Sequence, residues 1–300
     1  MIALLFPGQG AQAVGMGREL AEAVPAARAA FDEANEALGY DLASICFHGP
    51  EERLTDTDVC QPAILATSIA AWRAARDAGL SGDLVMGHSL GEYSALVAAG
   101  AIGYAEALRV VAERGDAMHA AGQARPGTMA ALLGVDDAGV EALCAEAGDV
   151  WPANFNCPGQ VVASGTVEGV ERLLALAADR GLRASRLQVG GAFHSPLMAP
   201  AADRLRPALD AWQPAAPDTP FLSTTTVAVE PPERMRQVLL DQLLAPVRFG
   251  AAVEAALQMG VTRFVELGPG RVLSGLVRRV RRDAAVSQVG VPGDLDAVAV

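Results

Sequence analysis

The sequence contains no lysine; all 23 of its basic residues are arginine. A lysine Schiff base and a lysine general base are therefore excluded from its chemistry. Aromatic residues are scarce, at 5%. Basic charge is in deficit too, because 35 acidic residues leave a formal net charge of −12. That balance speaks against nucleic acid or an anionic membrane as a general partner. Only four cysteines occur, at 46, 60, 144 and 157, with neither metal-ligand spacing nor the look of a disulfide framework. No metal site is expected from them, and a reducing cytoplasm fits best. The longest uncharged stretches are interrupted by Pro, Gly, Asn and Gln, so none reads as a membrane span. The N-terminus MIALLFPGQG lacks a basic region and meets Pro-Gly at once, unlike a signal peptide.

What is present is apolar. Hydrophobic residues make up 51% and mean hydropathy is +0.26, which excludes general disorder. Three hundred residues suffice for one large core or two smaller ones. Residues 2–6 and 83–87 read as buried strands, and helical periodicity runs over 16–38, 62–78, 91–99 and 104–121. Strands alternating with helices imply an α/β fold with a mainly parallel sheet. The order then changes to strand 128–135, helix 136–147, strands 150–156 and 160–165, helix 167–180 and strand 184–190. This β-α-β-β-α-β sequence is the ferredoxin-like pattern. It suggests a small subdomain over 126–191, inserted into a larger domain made of 1–125 and 192–300. The larger domain resumes with a helix at 196–212, a strand near 220–226, helices across 232–259, a strand at 262–267 and a helix at 271–282. The tail from 284 shows no assignable feature.

Between a predicted strand and a predicted helix stands GHSLG, residues 87–91. It matches the G-x-S-x-G turn that exposes a serine hydroxyl at the top of a sheet. A hydroxyl is a poor nucleophile at neutral pH and needs a neighbouring base, so Ser89 requires a partner. Four histidines are candidates. His88 adjoins Ser89 but should leave the turn in another direction, while His48 and His119 read as structural or solvated. His194 follows a predicted strand at the domain junction, in GGAFHSP, and is the best-placed base. FPGQG at 6–10 directly follows the first strand. Its Gly8-x-Gly10-x-x-Ala13 spacing loosely fits a dinucleotide fingerprint, but Asp32 and Glu33 fall inside a helix instead of ending the next strand. A turn offering a backbone N–H to an oxyanion beside Ser89 is the better reading. Arg114, in VVAERGDAM, reads by default as a surface arginine pairing with Glu113 or Asp116.

Taken together, FPGQGAQ, QPA (61–63), GHSLGEYSALVAAG, ERGDAM, NFNCPGQVV, AFHSPLM, APVRF and VELGPGRVLSGL resemble, in order, the malonyl-CoA:acyl carrier protein transacylases of fatty acid synthesis. The acyltransferases of polyketide synthases share the pattern. The resemblance runs from residue 3 to about 282. It implies an α/β-hydrolase-like large domain with a ferredoxin-like insert. It also implies that Ser89 is the nucleophile and His194 its base. Gln9 and Leu90 would supply the backbone N–H groups of an oxyanion hole, and the Gln242 backbone carbonyl would orient the histidine. Arg114 would pair with the free carboxylate of the extender, which replaces its surface reading. Phe193, just before the histidine, resembles the family members that take malonyl, whereas serine there goes with methylmalonyl.

The implied partners are malonyl-CoA, which is a substrate and not a resident cofactor, and an acyl carrier protein. Docking that acidic carrier on an acidic enzyme calls for a local basic surface. Arg271, Arg278, Arg279, Arg281 and Arg282, with Arg180, Arg183 and Arg186, are the candidates. Three alternatives stand beside primary fatty acid synthesis. One is a free-standing acyltransferase loading a polyketide synthase in trans, and a start at Met1 suits either discrete protein. A second is a thioesterase on the same turn, which would need an acidic third member between Ser89 and His194. The third is a non-catalytic scaffold that binds a carrier protein.

Overall fold

The computed structural model describes residues 1–298. Among them the strands in chain order are β1 (Ile2–Phe6), β2 (Leu84–Gly87), β3 (Gly127–Leu133), β4 (Val150–Cys157), β5 (Gln160–Thr166), β6 (Arg183–Leu187), β7 (Arg263–Leu267) and β8 (Ala285–Val289). They form a parallel sheet of order β2-β1-β7-β8 and a separate antiparallel sheet of order β4-β5-β3-β6. The fold is thus mixed α/β.

IALLF in β1 and LVMG in β2 are continuous apolar runs, as strands covered on both faces require. Alternate side chains go to opposite sides. Leu4, Phe6 and Val85 join the main core with helices such as Thr57–Asp77 and Tyr104–Ala124. Ala3, Leu5, Leu84 and Met86 pack instead with Phe249 and Val253 of the helix Phe249–Gln258. Because β1 lies between β2 and β7, the chain leaves it on one side and returns on the other. The crevice beyond the carboxyl ends of β1 and β2 is therefore where a ligand site belongs in such a sheet.

In the antiparallel sheet, Ala130, Leu132, Val161 and Ala163 face the helices Asp137–Ala147 and Val167–Asp179. Those helices start on side-chain caps, Asp136 accepting from Gly139 N at 2.8 Å and Thr166 from Gly169 N at 3.0 Å. Met129 and Val162 point the other way and join the main core. Paired hydrogen bonds between Ala153, Phe155 and Val247 further tie β4 to the segment before the helix Phe249–Gln258.

Several expectations change. The helix over 16–38 is two, Arg18–Ala23 and Pro25–Leu38, because Val24 is extended and Pro25 opens the second. The expected strand near 220–226 makes only isolated bridges, Val85 to Phe221 and Leu222 to Val229. β6 stops at Leu187 instead of running to 190. Short helices Leu42–His48 and Glu51–Thr55 were not foreseen. The unassigned tail supplies β8, parallel to β7 with Val265 opposite Ser287, and its last two residues lie outside the described residues. No described helix is long and apolar enough to cross a membrane.

Candidate active site

β2 ends at Gly87 and the helix Gly91–Ala98 starts four residues on, so Ser89 sits on the turn between them. Its φ of 53° is left-handed, a strained setting for a residue with a side chain. The flanking glycines make that turn fit against β1. A Cβ on Gly91 would lie 2.0 Å from the Phe6 carbonyl oxygen, and one on Gly87 would lie 2.0 Å from Gly91 C. The strand-turn-helix context expected of GHSLG is present, with the positive end of the helix dipole toward the hydroxyl.

His194 comes from 105 residues further along, and its Nε2 lies 2.8 Å from Ser89 Oγ. Its other ring nitrogen, Nδ1, lies 2.7 Å from the backbone carbonyl of Gln242. A carbonyl can only accept, so Nδ1 carries the proton and the Nε2 lone pair faces the serine hydroxyl. Burial, and then the nearby Arg114 guanidinium, push the imidazole down to about 3, so the ring is neutral at physiological pH. His194 also has a left-handed φ, 57°.

Arg114 is buried, at 1% exposure, despite its polar flanks. Glu113 and Asp116 turn outward to Arg204, at 2.7 and 3.8 Å. The guanidinium instead donates to Gln61 Oε1 at 2.6 Å, Gln242 Oε1 at 3.0 Å and Ser89 Oγ at 3.1 Å, and it stands over the Tyr93 ring. None of these partners is a carboxylate. Among the described residues its Nε has no partner at all. A buried cation so arranged has no carboxylate in direct contact, and an anion entering the cavity would meet its charge at low dielectric.

Ser89, His194 and Arg114 line one cavity of about 420 Å³, together with Gln9, Leu90 and Phe193. The backbone N–H groups of Gln9 and Leu90 find no acceptor among the described residues. Gln242 reaches the group through its backbone and its side chain. His88 lines the cavity too, but its Nε2 is engaged by Asn156 Oδ1 at 3.0 Å, and burial lowers its pKa. His48 and His119 are exposed. Asp32 and Glu33 lie in the helix Pro25–Leu38, paired with Arg28 and Arg73, away from any nucleotide site after β1. No group of three or more His, Cys, Asp or Glu that could hold a metal occurs among the described residues.

Sequence reasoning missed the roles of Gln61, Asn156 and the Gln242 side chain. Gln61 and Asn156 stand inside the quoted stretches QPA and NFNCPGQVV, but nothing in an isolated amide side chain tells which partner it takes.

The chain belongs to the acyl transferase domain family, whose model matches residues 3–295. Within that class it is 46% identical to the malonyl CoA-acyl carrier protein transacylase of Bacillus subtilis, covering 98% of this chain and 95% of the relative. The malonyl CoA-acyl carrier protein transacylase of Coxiella burnetii superposes with a TM-score of 0.96 at 36% identity, covering 99% and 96% of the two chains. A malonyl-transacylase solved in complex with its type II PKS acyl-carrier protein superposes with a TM-score of 0.95 at 40% identity, covering 99% and 98%.

Proposed function

We propose that this enzyme moves a malonyl group from malonyl-CoA to the phosphopantetheine thiol of an acyl carrier protein, in a ping-pong cycle centred on Ser89. The observation that carries this reading is one hydroxyl shared by two groups. Ser89 Oγ is hydrogen-bonded at once to a neutral imidazole and to a buried guanidinium without a carboxylate. The first arrangement makes a nucleophile, and the second selects what it carries.

His194 Nε2 takes the Ser89 proton as Oγ attacks the thioester carbonyl carbon. The Gln9 and Leu90 N–H groups receive the oxyanion, a contact typically worth about 10²–10³ in rate per donor. Collapse breaks the C–S bond, and His194 returns the proton to the departing CoA sulfur. A malonyl ester remains on Ser89. The carrier thiol then gives its proton to Nε2 and attacks the ester, and Ser89 recovers the proton when the C–O bond breaks. Arg114 pairs with the malonyl carboxylate throughout and disfavours acyl groups that would leave it unpaired. Phe193 crowds a substituent at the malonyl α-carbon. No resident cofactor is required by these steps.

For the fold, we read the parallel-sheet body (1–125 and 192–300) as α/β-hydrolase-like and the antiparallel unit (126–191) as ferredoxin-like. The strand order β6-β3-β5-β4, with both helices on one face, supports the latter. For carrier docking, the helix Val272–Val280 is the favoured edge. It lines the cavity with Val272, Leu273 and Leu276, while Arg278 and Arg279 are exposed. Arg180 and Arg186 contribute less, being paired with Glu146 and Glu171. A thioesterase reading is disfavoured by the carbonyl on His194 Nδ1, where a triad would place an acid.

Intact-mass analysis after mixing with malonyl-, methylmalonyl- or acetyl-CoA tests the proposal, with Ser89→Ala as control. Malonyl should add to the wild type and not to the variant, and carrier protein should then remove it. Label persisting on Ser89→Ala would refute the nucleophile.

A further inference from the structure

Three residues past Ser89 stands Glu92, fully buried in the first turn of the helix Gly91–Ala98. A buried carboxylate is costly unless its oxygens are satisfied. Oε1 accepts from Thr224 N at 2.6 Å, Thr224 Oγ1 at 2.9 Å and Ser223 Oγ at 3.0 Å. Oε2 accepts from Gln242 Nε2 at 2.5 Å. Among the described residues no cation touches it.

Gln242 is in turn fully used. Its second amide hydrogen goes to the Ser89 carbonyl at 3.0 Å, its Oε1 accepts from Arg114, and its backbone carbonyl accepts from His194. One residue thus touches the nucleophile's backbone, the guanidinium and the imidazole. Burial pushes the Glu92 carboxyl up, and the Thr224, Ser223 and Gln242 donors oppose that shift. A carboxyl oxygen met only by donors and a buried cation thus stand at the two ends of the Gln242 carboxamide. That fixes the amide orientation, because a flipped group would set NH₂ against guanidinium and oxygen against carboxylate. It also gives Arg114 a counter-charge one amide away, leaving the cavity side of the guanidinium open.

We infer that Glu92 is a positioning residue for this reaction: its carboxylate sets the Gln242 amide, which aims Arg114 at Ser89 and pins the carbonyl that orients His194. The inference rests on the proposed roles of Ser89 as malonyl carrier and Arg114 as carboxylate partner. Glu92 touches none of the reacting atoms, so its effect is transmitted wholly through Gln242.

Glu92→Gln tests this with little change of volume. The new side chain can still accept from Ser223 and Thr224, but its NH₂ opposes the NH₂ of Gln242. Per folded molecule, the rate constant for malonyl labelling of Ser89 should fall about 10²-fold, the scale of a misplacement near 1 Å. The preference for malonyl- over acetyl-CoA should fall at least about tenfold with it, because Arg114 loses its aim. Gln242→Leu keeps the backbone carbonyl and removes the relay, so it should lose the same preference. The double variant should be no worse than the weaker single, as expected of one coupled unit. A merely structural role predicts a lower melting temperature with the wild-type preference retained, and that result overturns the inference. If Glu92→Gln does not fold, an unchanged preference in Gln242→Leu overturns it equally. Wild-type protein that takes no malonyl label would overturn the proposed function as well as this role, whereas a labelled wild type with unaltered variants overturns the role alone.

Discussion

His194 Nδ1 donates to the backbone carbonyl of Gln242 at 2.7 Å, so a neutral acceptor stands where a Ser-His-Asp triad places a carboxylate. The carbonyl fixes the tautomer and the ring orientation as well as an acid would. It does less to hold an imidazolium, and Arg114 on the same hydroxyl opposes that cation further. The ring is therefore arranged to pass its proton on quickly, which suits exchange between an alcohol and two thiols.

The first consequence is in the pH profile. An ordinary histidine protonates near pH 6.5, whereas burial and then Arg114 hold His194 down to about 3. The base is competent above its folded pKa, so kcat/KM for malonyl-CoA should stay flat from pH 7 to pH 5. A fall of about thirtyfold by pH 5 would mark an unshifted histidine and refute the neutral buried base. The stability sign is separate. Between about pH 6.5 and 3 the unfolded chain binds a proton at this residue and the folded chain does not, so this group lowers stability as pH falls through that window. Circular dichroism at each pH keeps the two effects apart.

Arg114→Ala should separate cargo selection from chemistry. Hydrogen bonds to a charged group are worth roughly 1.5–3 kcal/mol, so malonyl-CoA kcat/KM should drop about tenfold to 150-fold. Acetyl-CoA has no carboxylate to lose and should be loaded about as before or faster. An equal loss for both thioesters would show that Arg114 serves the Ser89 hydroxyl and not the cargo. Parallel stopped-flow loading with the two thioesters measures the ratio.

Much of this site was legible in the chain, though unevenly. β1 and β2 announce themselves because buried parallel strands need continuous apolar runs, and GHSLG needs its glycines where β2 meets β1. β8 stayed hidden because AVSQV mixes Ser and Gln into an edge strand only partly covered. FLSTTT reads as a strand from its β-branched residues, yet Ser223 and Thr224 hydrogen-bond Glu92 and Gly87 instead of a full ladder. Arg114 looks superficial from Glu113 and Asp116 alone; the family resemblance replaces that reading, and the fold sends those acids to Arg204. The Gln242 side chain left no trace, since an amide carries neither periodicity nor charge.

Phe193 lines the cavity beside His194 at 6% exposure, and the proposed size filter sets its ring against the acyl α-carbon. Phe193→Ser should raise the ratio of methylmalonyl to malonyl loading by about tenfold, the scale on which one methyl is discriminated. Removing a packed ring also costs stability, typically about 3–5 kcal/mol for truncation to alanine, so the ratio is the informative measure and not the absolute rate. An unchanged ratio would move the size filter elsewhere in the cavity.

Carrier docking can be separated from malonyl loading because the two half-reactions use different partners. Arg278 and Arg279 project from the same helix whose Leu273 and Leu276 line the cavity, so a carrier bound there would stand near its mouth. On an acidic enzyme these charges act locally, within a Debye length of about 8–10 Å. The double variant Arg278→Glu, Arg279→Glu should therefore raise KM for the carrier protein several-fold, and more at low salt than at high. Loading of Ser89 by malonyl-CoA should proceed at the wild-type rate. A carrier KM that does not move, or that moves without salt dependence, would place the docking surface on another face.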